Sequence, residues 1–211
     1  MPDIVNPKIE EYLRRLYDDG DAVRHEMEEL AKERKFPIVG PLVGRMLEVL
    51  TRTIGARRIF ELGSGYGYSA LHFARAAGPG AVVHCTELSE DNIRLAESFL
   101  TRAGVWDRVT YHRQEATAAL KAVGGTWDIV YLDIDKQGYP PVVDLAHAHL
   151  RPGGLFITDN VLWSGRILEG EDDGTSATQG VKEFTRRLFS HKGFQSFINP
   201  TRDGVAVAVR F

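Results

Sequence analysis

Acidic side chains recur along the chain, each at or directly after a short apolar run. They are Glu61, Glu87, Glu115, Asp133 and Asp159. If the apolar runs are strands of one parallel sheet, these carboxylates lie at its carboxyl edge, where open α/β sheets bind ligands. One such acid alone would ordinarily be a helix cap or a solvated side chain, but five at equivalent places indicate a binding edge.

Asp133, Asp159 and Asn160 offer two carboxylates and an amide carbonyl from neighbouring strand ends. Hard oxygen donors suit Mg²⁺, with Ca²⁺ or Mn²⁺ as alternatives, and leave coordination positions for water or substrate. The competing interpretation is that Asp159-Asn160 only begins a turn, which this dipeptide often does. Lys136 follows Asp133 by three residues, where a nearby metal could lower its pKa toward that of a base, although most lysines after a strand are simply solvated.

The segment 59–69 has the sequence IFELGSGYGYS and places Gly63, Gly65 and Gly67 between an apolar run and a helical pattern. Glycines let the backbone approach a ligand closely, and the free N–H groups of the following helix attract its polar groups. A nucleoside-like ligand is therefore predicted. The dinucleotide fingerprint requires its third glycine where this chain has Tyr68, so a nicotinamide or flavin cofactor is disfavoured.

Three further side chains near this turn are candidate ligand contacts. Glu87 follows the turn by about twenty residues, at a strand end where a carboxylate accepts both ribose hydroxyls. Glu61 could accept from a ligand ammonium group or brace the turn itself, and the sequence leaves both interpretations open. Ser69 could donate to a ligand carboxylate or cap the helix.

Apolar runs alternate with helical patterns, which predicts a parallel sheet with right-handed crossovers. Predicted strands are 58–62, 81–85, 109–112, 127–132 and 155–158, and predicted helices are 68–77, 90–103, 117–123, 141–150 and 178–191. Two closing strands, 194–198 and 205–211, have a connection too short for a crossover and should form an antiparallel hairpin at the sheet edge. The fold class is therefore α/β, with a mostly parallel seven-stranded sheet and helices on both faces.

Residues 1–55 precede the first strand, and their helical spacing of apolar residues predicts N-terminal cover helices. Residues 56–211 form the predicted cofactor-binding core. A chain of 211 residues with 43% hydrophobic content suits one domain.

Composition and charge limit the class of protein. The formal net charge of −3 gives no sign of a strongly basic nucleic-acid surface. The lone cysteine, Cys85, excludes an internal disulfide, and no apolar run approaches membrane-spanning length. Residues 1–7 lack the basic and apolar regions of a signal peptide, so a soluble cytoplasmic protein without membrane association is expected.

Together with the glycine turn, two later segments resemble those of the caffeoyl-CoA and catechol O-methyltransferase family, whose members use S-adenosylmethionine and a divalent metal. These segments are 133–136, DIDK, followed by Tyr139, and 159–166, DNVLWSGR. The resemblance covers about the whole chain and implies a Rossmann-like class I methyltransferase fold and a homodimer. It also implies methyl transfer to a hydroxyl of a metal-chelating, catechol-like or phenylpropanoid small molecule.

The resemblance assigns roles residue by residue. The implied cofactor-binding residues are Val39, Gly40, Glu61, Gly63, Ser64, Gly65, Tyr66, Gly67, Ser69, Glu87, Leu88, Glu115, Ala116 and Asp133. The implied metal ligands are Asp133, Asp159 and Asn160. Asp133 and Lys136 are the implied catalytic residues, with Lys136 as general base, and Tyr139 and Trp163 would line the acceptor pocket. The chain departs from the family in having Gln114-Glu115 where Gly-Asp is commoner, and Ile134 where a small residue often stands.

Two alternatives remain open at this point. Some relatives use the same core and metal to methylate a hydroxylated uridine in tRNA, and a basic strip of Arg14, Arg15, Lys32, Arg34 and Lys35 could bind RNA. A non-catalytic nucleoside-binding module would bind the cofactor without metal dependence. The predicted metal ligands and the lysine beside them disfavour this second alternative.

Overall fold

The computed structural model describes residues 6–211. The prediction that no signal peptide is present rests on residues 1–7, and five of these seven lie outside the described residues. The strands are β1 (Arg58–Leu62), β2 (Val82–Thr86), β3 (Val109–His112), β4 (Trp127–Leu132), β5 (Leu150–Thr158), β6 (Phe194–Asn199) and β7 (Val205–Arg210). The helices are α1 (Pro7–Leu16), α2 (Ala22–Arg34), α3 (Gly40–Thr53), α4 (Tyr68–Ala77), α5 (Glu90–Arg102), α6 (Ala116–Val123), α7 (Val142–His149) and α8 (Ser176–Ser190). No helix within 6–211 is long and apolar enough to cross a membrane.

The strands form one sheet in the order β3-β2-β1-β4-β5-β7-β6. Strands β1 to β5 pair in parallel, whereas β7 is antiparallel to both β5 and β6. The predicted α/β class and the closing hairpin are therefore confirmed. The strand order reverses between β1 and β4, which is where an open sheet of this kind binds its ligand.

Alternating side chains of the strands supply the cores on the two faces of the sheet. On β1, Ile59 packs into the core beneath α3, α4 and the N-terminal cover, while Phe60 packs into the core beneath α6, α7 and α8. Helices therefore cover both faces, as predicted. The carboxyl ends of the central strands point toward the N-terminal cover.

The predicted boundaries hold to within two residues for most elements, and the exception is the start of β5. This strand begins at Leu150, which had been predicted to end a helix, because Leu150 pairs with Trp127 across an irregularity in the β4–β5 register. Pairing across a bulge depends on the neighbouring strand and leaves no local pattern in the sequence.

The N-terminal cover contacts the glycine turn directly. The hydroxyl of Tyr66 donates to the carbonyl of Met27 at 2.9 Å, and the hydroxyl of Tyr68 donates to the Glu28 carboxylate at 2.7 Å. Glu28 is held in turn by the buried guanidinium of Arg24, also at 2.7 Å. Helix α2 is thus fastened to the loop between β1 and α4. The assignment of cover and core to one domain remains a prediction.

Candidate active site

The glycine turn requires glycine for steric reasons. Gly63, Gly65 and Gly67 have φ angles of +85°, +53° and +90°, a region that other residues rarely adopt. A Cβ atom on Gly63 would collide with the backbone carbonyl of Asp133, and one on Gly65 would lie 2.9 Å from the Phe36 ring. The turn is therefore packed between the end of β4 and the segment that follows α2.

Glu61 is fully buried beneath this turn and braces it. Its carboxylate accepts hydrogen bonds from the hydroxyls of Ser64, at 2.7 Å, and Ser69, and from the Cys85 thiol at 3.3 Å. Burial raises the pKa of Glu61 to about 7, although the hydrogen bonds from the two serines oppose this shift. Of the two interpretations left open by the sequence, the structure shows the bracing one, and it directs the Ser69 hydroxyl to Glu61.

A cleft of about 820 Å³ lies over the carboxyl ends of β1 to β4. The predicted cofactor residues that line it are Val39, Gly63, Ser64, Gly65, Tyr66, Ser69, Glu87, Leu88, Glu115, Ala116 and Asp133. Three others do not line it: Glu61 lies beneath it, Gly67 faces Tyr111 and α5, and Gly40 lines a neighbouring cleft. Most of the predicted set is therefore brought to one surface.

Sequence reasoning missed Thr86, which ends β2 and lines the same cleft. Its hydroxyl accepts from the N–H of Gly63 at 2.8 Å and donates to the carbonyl of Glu61 at 3.2 Å, so it joins β2 to the glycine turn. The sequence feature that could have identified Thr86 is its position directly before Glu87.

The carboxylates of Glu87 and Glu115 are partly committed to the protein backbone. One oxygen of Glu87 accepts from the N–H groups of Leu88 and Ser89, both at 2.8 Å, which leaves the other oxygen for a ligand. Glu115 caps α6, with both oxygens accepting from Thr117 or Ala118. Leu88 is 65% exposed at the cleft and is free to contact a flat apolar ring.

The predicted metal ligands lie at the junction of two clefts. Asp159 and Asn160 line both the large cleft and a smaller one of about 420 Å³ beneath the N-terminal cover, and Asp133 lines the large one. Asp159 is 5% exposed, and its burial together with the charge of Asp133 raises its pKa to about 7. Asn160 adopts φ +57°, a conformation that asparagine tolerates better than most residues.

This donor set fits a divalent cation. Two nearby carboxylates, one of them buried, repel each other, and a cation between hard oxygen donors would relieve that repulsion. No three His, Cys, Asp or Glu side chains group as a metal site within residues 6–211, and a metal held by Asp133, Asp159 and Asn160 remains a prediction.

Lys136 donates from its ammonium group to three acceptors. These are Asp133 Oδ1 at 2.8 Å, the Tyr139 hydroxyl at 2.9 Å and the carbonyl of Ile134 at 3.3 Å. The ammonium group also lies 5.8 Å from the centre of the Trp163 ring. Lys136 is thus held at the cleft as an ammonium group, which must lose a proton before its Nζ atom can accept one.

Trp163 lines the large cleft, whereas Tyr139 lines neither cleft. The side chain of Tyr139 is fully buried, and its hydroxyl donates to the carbonyl of Asp159 at 3.0 Å while it accepts from Lys136. The prediction that Tyr139 lines the acceptor pocket is therefore wrong. The short 3₁₀ turn at Lys136–Gly138 directs its ring inward against Phe184 of α8.

A glycine turn after β1, acids at successive strand ends and a seven-stranded sheet closed by a hairpin define a class I, S-adenosylmethionine-dependent methyltransferase. The family model for O-methyltransferases matches residues 21–211, and the chain belongs to that family. It is an O-methyltransferase of the catechol and caffeoyl-CoA type.

Relatives in both sequence and structure agree with this assignment. A catechol O-methyltransferase from Mycobacterium tuberculosis is 36% identical over 154 residues, covering 72% of this chain and 69% of the relative. One from Niastella koreensis is 28% identical and covers 81% of each chain. An O-methyltransferase from Bacillus cereus in complex with SAH superposes with a TM-score of 0.88 at 26% identity, covering 97% of each chain. TomG from Streptomyces achromogenes in complex with SAM superposes with a TM-score of 0.86 at 27% identity, covering 96% of each chain.

These comparisons support S-adenosylmethionine as the cofactor and give no support to the tRNA alternative. The divalent metal, the homodimer and the cellular location remain predictions.

Proposed function

We propose that this enzyme methylates one hydroxyl of a vicinal diphenol that chelates a divalent cation bound by Asp133, Asp159 and Asn160. The observation that carries the proposal is that Asp159 and Asn160 line both clefts. A methyl donor on the glycine turn and an acceptor beneath the cover would therefore meet beside these oxygen donors. Placing the two reactants together in this way removes much of the entropic cost of their encounter.

The chemical requirement is an oxygen nucleophile. A phenol has a pKa of about 10 and is mostly neutral at pH 7, so its proton must leave before or during attack on the methyl carbon. When bound, a divalent cation supplies Lewis-acid stabilisation of the phenolate. The carbon–sulfur bond of the donor breaks as the carbon–oxygen bond forms, and the sulfonium leaves as a neutral thioether.

The protein's own residues position these groups. The Gly63–Gly67 backbone, braced by Glu61 from below, would hold the methionine part of the donor, and the free oxygen of Glu87 would accept from the ribose. The Nζ atom of Lys136 would receive the phenol proton as a neutral amine, after the ammonium group has left Asp133 and lost one proton to solvent. The Trp163 ring, which lines the large cleft, would form a wall where the acceptor meets the methyl donor and help to exclude water.

The test is to replace Asp159 by alanine and measure turnover with a panel of diphenols, with Mg²⁺ and with a chelator. We expect turnover to fall at least roughly 100-fold because a metal ligand is lost, while calorimetry shows nearly unchanged S-adenosylmethionine binding. The matched control is Asp144→Ala, which removes a carboxylate that is 75% exposed on α7. Wild-type turnover that is unchanged by the chelator would contradict the proposal. So would an Asp159→Ala enzyme that turns over as fast as the wild type.

A further inference from the structure

The smaller cleft is lined by four cationic and three acidic side chains. Its walls come from α1 and α2, from the segment 36–41 and from the loop between β6 and β7, and its floor includes Asp159 and Asn160. Four cationic side chains line it: Arg14, Lys32, Lys35 and Arg202. A volume of about 420 Å³ is in the range of sites that bind one aromatic ring with a short substituent.

Two of these cations lack an acidic partner. Arg14 pairs with Glu10 and Lys32 with Glu29, whereas neither Lys35 nor Arg202 lies within ion-pairing distance of any carboxylate in the described part of the chain. Arg202 instead donates from Nη1 to the backbone carbonyls of Ile38 and Val39.

The two guanidinium groups converge on one point. A Cβ atom built on Gly40 would lie 2.5 Å from Nη1 of Arg202 and 3.9 Å from Nη2 of Arg14. Gly40 itself has φ +72°, so the backbone here leaves room for both groups. Arg14 already donates from Nε and Nη2 to Glu10, and Arg202 donates from Nη1 to two backbone carbonyls. A carboxylate between the two groups would accept from the remaining nitrogens, Nη1 of Arg14 and Nη2 of Arg202, and would offset the repulsion between the two like charges.

The acids of this cleft are each held by one oxygen or belong to the proposed metal site. Glu28 accepts from Arg24 and Tyr68, and Asp203 accepts from the N–H of Ser164. Asp159 is the proposed metal ligand. Lys35 and Arg202 are therefore the cations of this cleft that a ligand can reach without competing with an ion pair, whereas Arg14 is already paired with Glu10.

We propose that Arg14, Lys35 and Arg202 bind a carboxylate carried by the acceptor, so that the preferred substrates are vicinal diphenols with a short acidic side chain. The inference rests on the proposed function, because the diol end of such an acceptor must lie at Asp159 and Asn160. The ring then spans the distance to the cationic wall. Diphenols with an amine side chain meet like charge there and are poor substrates.

The test compares three acceptors with the same diphenol ring, bearing a carboxylate, the matching primary amide or an amine. We expect the wild-type enzyme to show a KM for the acid roughly tenfold below that for the amide, with the amine poorest, because a charge-assisted hydrogen bond adds affinity. This preference should shrink as salt is added, since the cationic wall is open to solvent.

Variants identify the residues responsible. Arg14→Gln and Lys35→Gln should each lower the amide-to-acid ratio of KM values roughly fivefold, with the larger part of the change in KM rather than kcat. The matched control is Arg15→Gln: Arg15 adjoins Arg14 on α1 and also pairs with the acid four residues before it, Glu11, at 3.6 Å, but it does not line the cleft. Arg202 is left intact in these variants because it also holds Ile38 and Val39.

Equal KM values for acid and amide in the wild-type enzyme would overturn the inference, as would an Arg15→Gln effect as large as that of Arg14→Gln. Bulk tRNA that competes with the acid at micromolar concentration would also overturn it, because the cationic wall would then serve a polyanion. These outcomes differ from a failure of the proposed function. If the proposed function were wrong, all three acceptors would show no turnover, or turnover that the chelator does not change.

Discussion

Replacing Glu61 with glutamine tests whether the buried carboxyl group beneath the glycine turn carries a proton in the cofactor-free enzyme. The pKa of Glu61 is raised by burial from 4.5 to about 7. The folded state therefore binds a proton that the unfolded state has already released over this range. A raised carboxyl pKa means that folding stability is lost as pH rises from 4.5 to 7, and the full penalty applies above pH 7.

The size of the effect follows from the shift. At 1.36 kcal/mol for each pKa unit, ionisation of Glu61 costs about 3 kcal/mol of folding free energy by pH 8. A glutamine at this position is nearly isosteric with the protonated acid and cannot ionise, and the Ser64 and Ser69 hydroxyls can reorient to suit its amide. Glu61→Gln should therefore have similar stability to wild type at pH 4.5 and be more stable by about 3 kcal/mol at pH 8.

The assay is urea unfolding of both proteins, free of cofactor, at pH steps from 4.5 to 8. The other buried acid with a raised pKa, Asp159, is present in both proteins and cancels in the difference. A difference in unfolding free energy that stays constant across this range would refute the argument, because it would mean that Glu61 has the same charge in the folded and unfolded states.

Two further substitutions test the backbone of the glycine turn and its contact with helix α2. Gly65→Ala should destabilise the protein by about 1–3 kcal/mol and weaken S-adenosylmethionine binding, because φ is +53° and the new methyl would meet Phe36; thermal unfolding and calorimetry measure both effects. Tyr68→Phe leaves the Glu28 carboxylate without one donor and should cost about 1–2 kcal/mol of stability, readable by urea unfolding. Tyr17→Phe offers a control outside the cleft, and an equal loss there would contradict a specific role for Tyr68.

Much of the fold was predictable because its pattern is local. Alternating apolar runs and helical spacing indicated the strands and helices of the core, and glycines marked the turns between them. Helix α1 was not separately predicted, although Ile9, Tyr12 and Leu16 follow helical spacing; in the structure these side chains remain 51%, 58% and 60% exposed.

The site was predictable in position but less so in detail. Strand ends fix which residues reach the cleft, so most of the cofactor-binding set lies there. Side-chain direction depends on distant partners: Cys85 of β2 helps hold Glu61 inward, and Phe184 of α8 packs the Tyr139 ring under the cleft. Neither contact has a signature in the sequence near the residue that it orients.

The contact between Glu28 and Tyr68 joins the two clefts, because Glu28 lines the smaller one and Tyr68 the larger. Any shift of this carboxylate that accompanies occupation of one cleft also moves a wall of the other. Thermodynamic linkage then makes the effect mutual: the factor by which the methyl donor changes affinity for the acceptor equals the factor by which the acceptor changes affinity for the donor. Any such coupling would run through helix α2, which carries Glu28.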